Sequence, residues 1–232
     1  MAGVAVIIPT LNEAEAIGAV IAELPKDVVN EIIVADSGST DGTQEAASLA
    51  GARVLDVRER GYGRACAAAA AAASPECDII VFMDGDGADR ADLIGQLVAP
   101  LRAGTHDFVI AARVKELREP GSMSPHQVFA GHALGFAIGY LTGVRYNDMC
   151  AYRAIRRAAL ERLAMREMTY GWNIEMQFKV ARQGGRVLEV PLPYRCRAGG
   201  ESKVAGSLRG TIRASWRILA AFTRVAFMDG GG

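Results

Sequence analysis

Five short apolar segments alternate with longer helical patterns over the first half of the sequence. The apolar segments cover residues 4–8, 31–35, 53–57, 78–83 and 107–111. Their length and their β-branched residues are typical of buried strands. Because helical patterns separate the segments, we expect crossover connections that place neighbouring strands in parallel. The sequence therefore predicts an α/β protein in three layers, with helices on both faces of a mostly parallel central sheet.

Composition limits the class of protein. The 232 residues, half of them hydrophobic, suit one large domain or a domain with an appendage. Lys plus Arg equals Asp plus Glu at 26 each, so the net charge indicates no nucleic-acid partner. Four widely spaced cysteines without a Cys-x-x-Cys pair favour a reducing compartment and give no zinc signature. We recognise no leader peptide and no apolar stretch of about 18 residues, so we expect a cytoplasmic protein, either free or at the inner face of the membrane.

Four of the predicted strands end in polar or glycine-rich segments. In open parallel sheets, ligands bind outside the carboxyl ends of the strands. We therefore expect these segments to converge on one ligand-binding crevice. In chain order they contribute Asn12, Glu13, Asp36, Gly61, Gly63, Asp84 and Asp86.

The fourth of these segments suggests a metal site. Asp84 and Asp86 are separated by one glycine, and two carboxylates at this spacing can share one hard divalent cation. Mg²⁺ and Mn²⁺ prefer oxygen ligands and commonly keep positions open for substrate phosphates. The alternative is a Gly/Asp turn in which Asp89 caps the following helix.

The second half of the sequence departs from this alternation. Residues 116–125 form a polar loop with two prolines, which we interpret as a mobile lid. We predict helices over about 126–142, 156–165 and 173–182, and a strand over 186–190 that ends before Pro191. Residues 148–155 carry no clear pattern.

Two basic segments follow. Residues 195–203 contain Arg195, Arg197, Ser202 and Lys203 among glycines. Such a loop suits contacts to phosphate, and a solvated surface loop is the alternative. Residues 207–228 read as an amphipathic helix rich in arginine and aromatic residues, which suits either the membrane surface or packing on its own domain or another subunit. We favour packing slightly.

Eight motifs occur in an order that resembles the family-2 glycosyltransferases of GT-A fold. The set is most similar to the branch of polyprenyl-phosphate (dolichol-phosphate) sugar synthases. It includes Asp-Ser-Gly-Ser-Thr-Asp-Gly-Thr at 36–43, Gly-Tyr-Gly-Arg-Ala at 61–65 and Asp-Gly-Asp at 84–86. The other motifs lie at residues 6–13, 148–154, 170–176, 189–191 and 200–203.

The resemblance implies a metal-dependent inverting enzyme that takes a sugar from a UDP- or GDP-sugar. It implies one catalytic domain over 1–205, with a nucleotide-sugar half at 1–112 and an acceptor half at 113–205, followed by the C-terminal appendage. The acceptor would be a lipid phosphate in the most similar branch. By the same resemblance, the nucleotide base and ribose would contact Pro9, Asn12, Glu13 and Asp36, with Gly63 and Arg64 near the ribose or phosphate.

The resemblance also assigns the charged motifs. Asp84 and Asp86 would hold Mg²⁺ or Mn²⁺ against the donor diphosphate. The diphosphate or an acceptor phosphate would be contacted from the other side by Arg195, Arg197, Ser202 and Lys203.

A hydroxyl acceptor would require a general base. Asp148 and Glu175 are the candidates, and we favour Asp148; a phosphate acceptor is already anionic and needs none. Two other functions are compatible with the motifs. One is a nucleotidyltransferase that makes a nucleotide sugar, and the other is a non-catalytic protein that binds one.

Overall fold

The computed structural model describes residues 2–199, 220, 222–224 and 226. Within these residues, one sheet has the strand order β3-β2-β1-β4-β6-β5-β7. Its strands are β1 (Val4–Thr10), β2 (Glu31–Asp36), β3 (Arg53–Asp56), β4 (Ile79–Phe82), β5 (Phe108–Ala112), β6 (Arg153–Arg156) and β7 (Val187–Pro191).

The sheet is mostly parallel, as predicted. Strand β1 pairs in parallel with both β2 and β4, β2 with β3, and β5 with β7. Strand β6 is the exception, because it runs antiparallel between β4 and β5. It comes from the stretch without a clear pattern in the second half of the chain, and it inserts between two strands of the first half.

Helices occupy the predicted positions to within a few residues. They are α1 (Ala14–Glu23), α2 (Thr43–Leu49), α3 (Tyr62–Ala72), α4 (Ile94–Arg102), α5 (Pro125–Thr142), α6 (Arg157–Leu163) and α7 (Trp172–Arg182). No helix among the described residues combines the length and apolar character that crossing a bilayer requires.

Two local expectations were wrong. The strand expected to end before Pro191 includes it as the last residue of β7. Since β7 pairs only with β5, its free edge tolerates a proline that donates no hydrogen bond. In the alternative interpretation of the metal motif, Asp89 caps the following helix; the N-cap position of its opening 3₁₀ turn is instead Arg90, which makes no capping hydrogen bond, and Asp89 accepts from the Asp84 amide.

The core lies between the sheet and its helices. Residues Val4 to Ile8 of β1 are fully buried, as is every residue of β4. The alanine-rich helix α3 packs on β1 and β2, because small side chains let a helix approach a sheet closely. This rigid centre fixes the positions at which the strands end.

Candidate active site

The ends of six parallel strands and the start of one reversed strand meet at the same edge of the sheet. Thr10 of β1 lies in register with Asp36 of β2, and Asp36 with Asp56 of β3. Strand β4 runs in the same direction beside β1, and β5 regains that direction across the reversed β6. The predicted convergence of strand exits is therefore confirmed, and the reversed β6 adds residues 148–152 from its amino-terminal end.

Asp36 organises the loop after β2. Its carboxylate accepts hydrogen bonds from Thr10 Oγ1 (3.0 Å), the Ser39 amide (2.8 Å) and Gln44 Nε2 (2.8 Å). Burial acts to raise the pKa of Asp36, but the hydrogen bonds from Ser39, Gln44 and Thr10 outweigh it and hold this pKa below its usual value. Asp36 is therefore an ionised acceptor at the base of the crevice.

The loop after β1 interlocks with the loop after β2. Asn12 has a φ of 54°, its amide donates to Ser39 Oγ (2.8 Å), and its Oδ1 accepts from the Thr40 amide (3.0 Å). Pro9, the next-to-last residue of β1, stands opposite Ala35. A cavity of about 430 Å³ opens beside these loops, and its lining includes Asn12, Glu13, Asp41 and Gly199.

The metal motif combines three carboxylates. Asp86 is 1% exposed and accepts a hydrogen bond from the Ala88 amide at 2.9 Å. Its other carboxylate oxygen lies 2.8 Å from Nη2 of Arg197. Asp89 is also buried, and its Oδ2 accepts from the Asp84 amide at 3.3 Å. A third acidic side chain therefore supports the predicted pair.

The three carboxylates repel one another. Desolvation, followed by the charge of Asp86, raises the pKa of Asp84 to about 6. Burial, followed by the charges of Asp84 and Asp86, raises the pKa of Asp89 well above its usual value. Such excess negative charge suits a bound cation, and the donor atoms are the oxygens that hard divalent ions prefer.

The described residues supply too few ligands to surround a metal ion by themselves. The part of the chain that the structure describes holds no group of three or more His, Cys, Asp or Glu side chains placed around one ion. Asp84 and Asp86 therefore fit an ion that takes its remaining ligands from substrate oxygens or water.

The glycines after β3 have a packing role. A Cβ atom at Gly63 would overlap the carbonyl oxygen of Glu167, and one at Gly61 would overlap that of Met168. The amides of Gly63 and Arg64 donate to the carbonyls of Thr169 (3.2 Å) and Met168 (3.0 Å). The first turn of α3 is thus capped by the segment 167–169, while the Arg64 side chain pairs with Glu59 at 2.7 Å.

Glu175 holds that same segment. Its carboxylate is 1% exposed and accepts hydrogen bonds from the amides of Arg166 (3.0 and 3.1 Å) and Glu167 (2.7 Å). Lys179 Nζ lies 2.6 Å from the carboxylate, one helical turn away. These donors occupy both oxygens, so the geometry gives Glu175 a structural role.

Asp148 is bound by Arg113. Nε and Nη2 of Arg113 donate to the two oxygens of Asp148 at 2.6 and 2.7 Å, and the amides of Arg113 and Met149 donate at 3.0 and 2.7 Å. The Arg113 guanidinium also lies 5.1 Å from the centre of the Tyr194 ring. We did not predict Arg113 from the sequence, although it follows β5 and the strand-exit rule that identified the other segments applies to it.

A second cavity of about 360 Å³ opens beside this pair. Its lining includes three Arg and Lys side chains, two carboxylates (Glu116 and Asp148, of which Asp148 is bound to Arg113) and the apolar Met123 and Val128. The basic residues are Arg113, Lys115, Arg118 and His132. This arrangement favours an anionic ligand.

The arginines of the basic loop at residues 195–203 contact different parts of the protein. Arg197 reaches the metal motif, whereas Arg195 pairs with Glu23 at 2.8 Å and lies 4.0 Å from Asp92. Ser202, Lys203 and most of the predicted C-terminal helix lie outside the described residues. Of that helix, Phe222 packs edge-on against Phe178, with ring centres 6.0 Å apart. Arg224 pairs with Glu167 at 3.1 Å.

Comparison with known proteins agrees with this geometry. The model of glycosyl transferase family 2 matches residues 5–164. An uncharacterized glycosyltransferase of Mycobacterium tuberculosis is 34% identical over 227 residues, which cover 95% of this chain and 100% of the relative. An undecaprenyl-phosphate mannosyltransferase of Micrococcus luteus is 31% identical and covers 88% of both chains. A dolichyl-phosphate hexose transferase of Haloferax volcanii is 33% identical and covers 84% of both.

Solved structures share the fold. Glucosyl-3-phosphoglycerate synthase of Mycobacterium tuberculosis, crystallised with phosphoglyceric acid, superposes with a TM-score of 0.77 at 26% identity, covering 97% of this chain and 80% of that one. The same enzyme was crystallised with Mn²⁺, UDP-glucose and phosphoglyceric acid, and there the TM-score is 0.75 at 25% identity, with the same coverage. By the family match, its relatives and its structural neighbours, the chain belongs to glycosyl transferase family 2 and is a glycosyltransferase of GT-A fold, similar to the polyprenyl-phosphate sugar transferases.

Proposed function

We propose that the protein transfers a sugar from a nucleoside-diphosphate sugar to the phosphate of a polyprenyl phosphate. The observation that carries the proposal is the acidic pair Asp84 and Asp86 facing Arg197 at the edge where the parallel strands end. A divalent cation on the carboxylates and a guanidinium beside them suit a diphosphate, which carries charge on both sides.

The donor site is the crevice between the loops after β1, β2 and β4. Within this crevice we assign Pro9, Asn12, Glu13 and Asp36 to contacts with the base and ribose of the donor. We assign Gly63 and Arg64 to the flank of the same crevice. UDP is supported by glucosyl-3-phosphoglycerate synthase, which was crystallised with Mn²⁺ and UDP-glucose; a GDP-sugar is the second candidate. Ser202 and Lys203 are assigned to the phosphates by the family resemblance alone.

Asp84 and Asp86 would hold Mg²⁺ or Mn²⁺. When bound, the ion would neutralise charge that grows on the leaving nucleoside diphosphate. Arg197 would contribute a second positive charge to the same oxygens. In the reaction, an acceptor phosphate oxygen forms a bond to the anomeric carbon. The bond from that carbon to the diphosphate oxygen breaks, and its electron pair leaves with the nucleoside diphosphate.

The acceptor side favours a nucleophile that is already ionised. Asp148 accepts four hydrogen bonds and pairs with Arg113, so it is poorly placed to take a proton. We therefore assign Asp148 to the positioning of Arg113. With Lys115 and Arg118, Arg113 gives the second cavity the positive charge that a phosphate requires. A phosphate needs no general base.

The test is a transfer assay in which the acceptor is varied. Thermal shifts with UDP and GDP, with and without Mn²⁺ or Mg²⁺, identify the donor. Radiolabelled donor is then offered to a polyprenyl phosphate and to the matching free polyprenol. We expect transfer to the phosphate alone, with release of a nucleoside diphosphate. Release of inorganic diphosphate from a nucleoside triphosphate and a sugar phosphate would indicate nucleotidyl transfer, and nucleotide binding without turnover would favour the non-catalytic function.

A small phosphorylated acid is the second candidate acceptor. Two of the structural neighbours were crystallised with phosphoglyceric acid, and the second cavity, with Arg113, Lys115 and Arg118, suits its phosphate and carboxylate. Including 3-phosphoglycerate in the assay separates the two acceptors. Transfer to it, with no transfer to the polyprenyl phosphate, would replace the lipid assignment.

A further inference from the structure

Helix α5 has apolar residues on two separate faces, and the structure covers only one of them. Glycines at 131, 135 and 139 recur every four residues and form the inner face. A Cβ atom at Gly135 would overlap the carbonyl oxygen of Tyr146, and one at Gly139 would lie 3.1 Å from Arg145. The inner face is therefore seated tightly on the segment that leads to Asp148.

The outer face carries large aromatic side chains that contact solvent. Phe129, Phe136 and Tyr140 are 76%, 61% and 84% exposed, and they recur at the spacing of one helical face. Leu141 beside them is 42% exposed. Scattered apolar residues are normal on a protein surface, but a contiguous aromatic face marks an interaction surface.

The charged group shown against this face is a guanidinium. The helix itself contains no Asp, Glu, Lys or Arg. The guanidinium of Arg145 lies 5.9 Å from the centre of the Phe136 ring. On the flank of α5, His132 lines the second cavity together with Lys115 and Arg118. An aromatic face with a guanidinium against it, on a helix without acidic side chains, suits the headgroup region of an anionic bilayer.

We propose that the outer face of α5 docks on an anionic lipid bilayer. The inference deepens the proposed function and rests on it, because the cavity assigned to the acceptor phosphate is lined by Val128 and His132 of this same helix. Docking α5 would bring that cavity to the surface from which a polyprenyl phosphate projects.

The C-terminal segment is a weaker candidate for this contact. Phe222 is 9% exposed and packs on Phe178, and Arg224 pairs with Glu167. These two side chains are committed to their own domain. A second copy of the chain on the α5 face is also less favourable, because a two-fold contact would bring the cations of both copies together with no acid on either helix.

The experiment is vesicle flotation of the full chain and of a triple variant, Phe129→Ser with Phe136→Ser and Tyr140→Ser. One set of vesicles contains equal parts phosphatidylcholine and phosphatidylglycerol, and the other contains phosphatidylcholine alone. We expect the unmodified chain to float with the anionic vesicles in a salt-sensitive manner. The triple variant should lose at least about tenfold in partition coefficient. The matched control is Leu49→Ser, which removes a 90% exposed leucine from α2 and should float like the unmodified chain.

Nucleotide binding is measured in parallel to separate the two proposals. If the triple variant keeps its metal-dependent thermal shift and loses flotation, the outer face of α5 is the surface that binds the anionic bilayer. If the unmodified chain does not float, or the triple variant floats equally well, the inference is wrong even where nucleotide binding persists. A loss of dimer mass in light scattering, with flotation unchanged, would assign the face to a second copy. If no nucleotide shifts the melting temperature of the unmodified chain, that result would instead count against the proposed function.

Discussion

Arg113 binds Asp148 through two parallel hydrogen bonds of 2.6 and 2.7 Å, at the point where the fifth strand meets the start of the reversed sixth. The pair lines the same cavity as Lys115 and Arg118. A residue that the family resemblance suggests as a base is therefore bound as the partner of a cation. This relationship separates two mechanisms, because a base must be free to take a proton and a positioning residue need not be.

Asp148→Asn should raise the KM for the acceptor by about tenfold to a hundredfold, because losing a charged hydrogen-bond partner costs about 1.5–3 kcal/mol. At saturating acceptor, kcat should change little, and the pH–rate profile should keep its shape. The control is Asp107→Asn, which breaks a similar pair with Arg186 at the opposite end of β5. A collapse of kcat with loss of the acidic limb would instead make Asp148 the base.

Arg197→Ala should change the binding of metal and nucleotide in opposite directions. Without the guanidinium 2.8 Å from Asp86, Mn²⁺ alone should bind more tightly, because a competing positive charge is gone. A nucleoside diphosphate in the presence of Mn²⁺ should bind about tenfold to a hundredfold more weakly, because a charge-assisted hydrogen bond to phosphate is lost.

Isothermal titration measures both steps, first with Mn²⁺ and then with UDP or GDP. Arg195→Ala is the matched control, since that side chain pairs with Glu23. Equal weakening of both ligands by Arg197→Ala would point to a local distortion of the loop and contradict the assignment.

Asp86→Ala should abolish the metal-dependent part of nucleotide stabilisation. A ligand at a hundredfold excess over its Kd stabilises the native state by about 2.7 kcal/mol. We expect this increment with Mn²⁺ in the unmodified chain and none in the variant, as measured by thermal shift with and without EDTA. A variant that retains the full metal-dependent shift would remove Asp86 from the metal site.

Acidity should affect the metal-free protein in an unusual direction. The pKa of Asp84 is raised from 3.8 to about 6, so between these values the native state binds more protons than the unfolded state. The free energy of unfolding should therefore fall as pH rises from about 4 to about 6, by up to about 3 kcal/mol from this group. The raised pKa of Asp89 acts in the same direction.

Urea unfolding in EDTA at successive pH values tests this trend, and Asp84→Asn should flatten it. Asp107, whose pKa is lowered to about 2 by Arg186, gives the opposite slope but only below its unfolded value of 3.8. A stability that rises between pH 4 and 6 in the unmodified chain and is unaffected by Asp84→Asn would contradict the account.

Gly63→Ala should destabilise the fold by about 1–3 kcal/mol, because the new methyl group meets the backbone of Glu167. Gly18→Ala is the matched control: it lies within α1, no atom lies within 4 Å of an added Cβ, and it should stabilise by about 0.4–1 kcal/mol. Urea unfolding compares the two. A neutral effect at Gly63 would mean that the segment 167–169 moves freely, and the glycine would then be free for a substrate role.

The sequence was most informative where structure depends on neighbouring residues. Apolar runs, turn residues and helix lengths are local properties, so the strands β1 to β5, their order along the chain and the helices between them could be predicted. The acidic pair at 84 and 86 was also visible, because both carboxylates lie on one short turn. The ordered motifs then indicated the family that the comparisons confirm.

Contacts between distant segments could not be read in this way. Strand β6 has four residues, and only its insertion between β4 and β5 makes it part of the sheet. The partners of Asp148 and Glu175 are likewise chosen by which segments the fold brings together. The sequence predicted carboxylates near the site, and the tertiary structure gave one of them to Arg113 and the other to the amides of residues 166 and 167.

The same division holds for helix α5. Its length and apolar content were predictable from local sequence alone. Which face would be buried was not, because glycines and aromatic residues are both apolar and lie on different faces of the helix. Close backbone packing at Gly135 and Gly139 selected the glycine face for the interior. The aromatic face was left exposed to solvent. The shape of the neighbouring segment, rather than the hydropathy of the helix, therefore determined which face of α5 is buried.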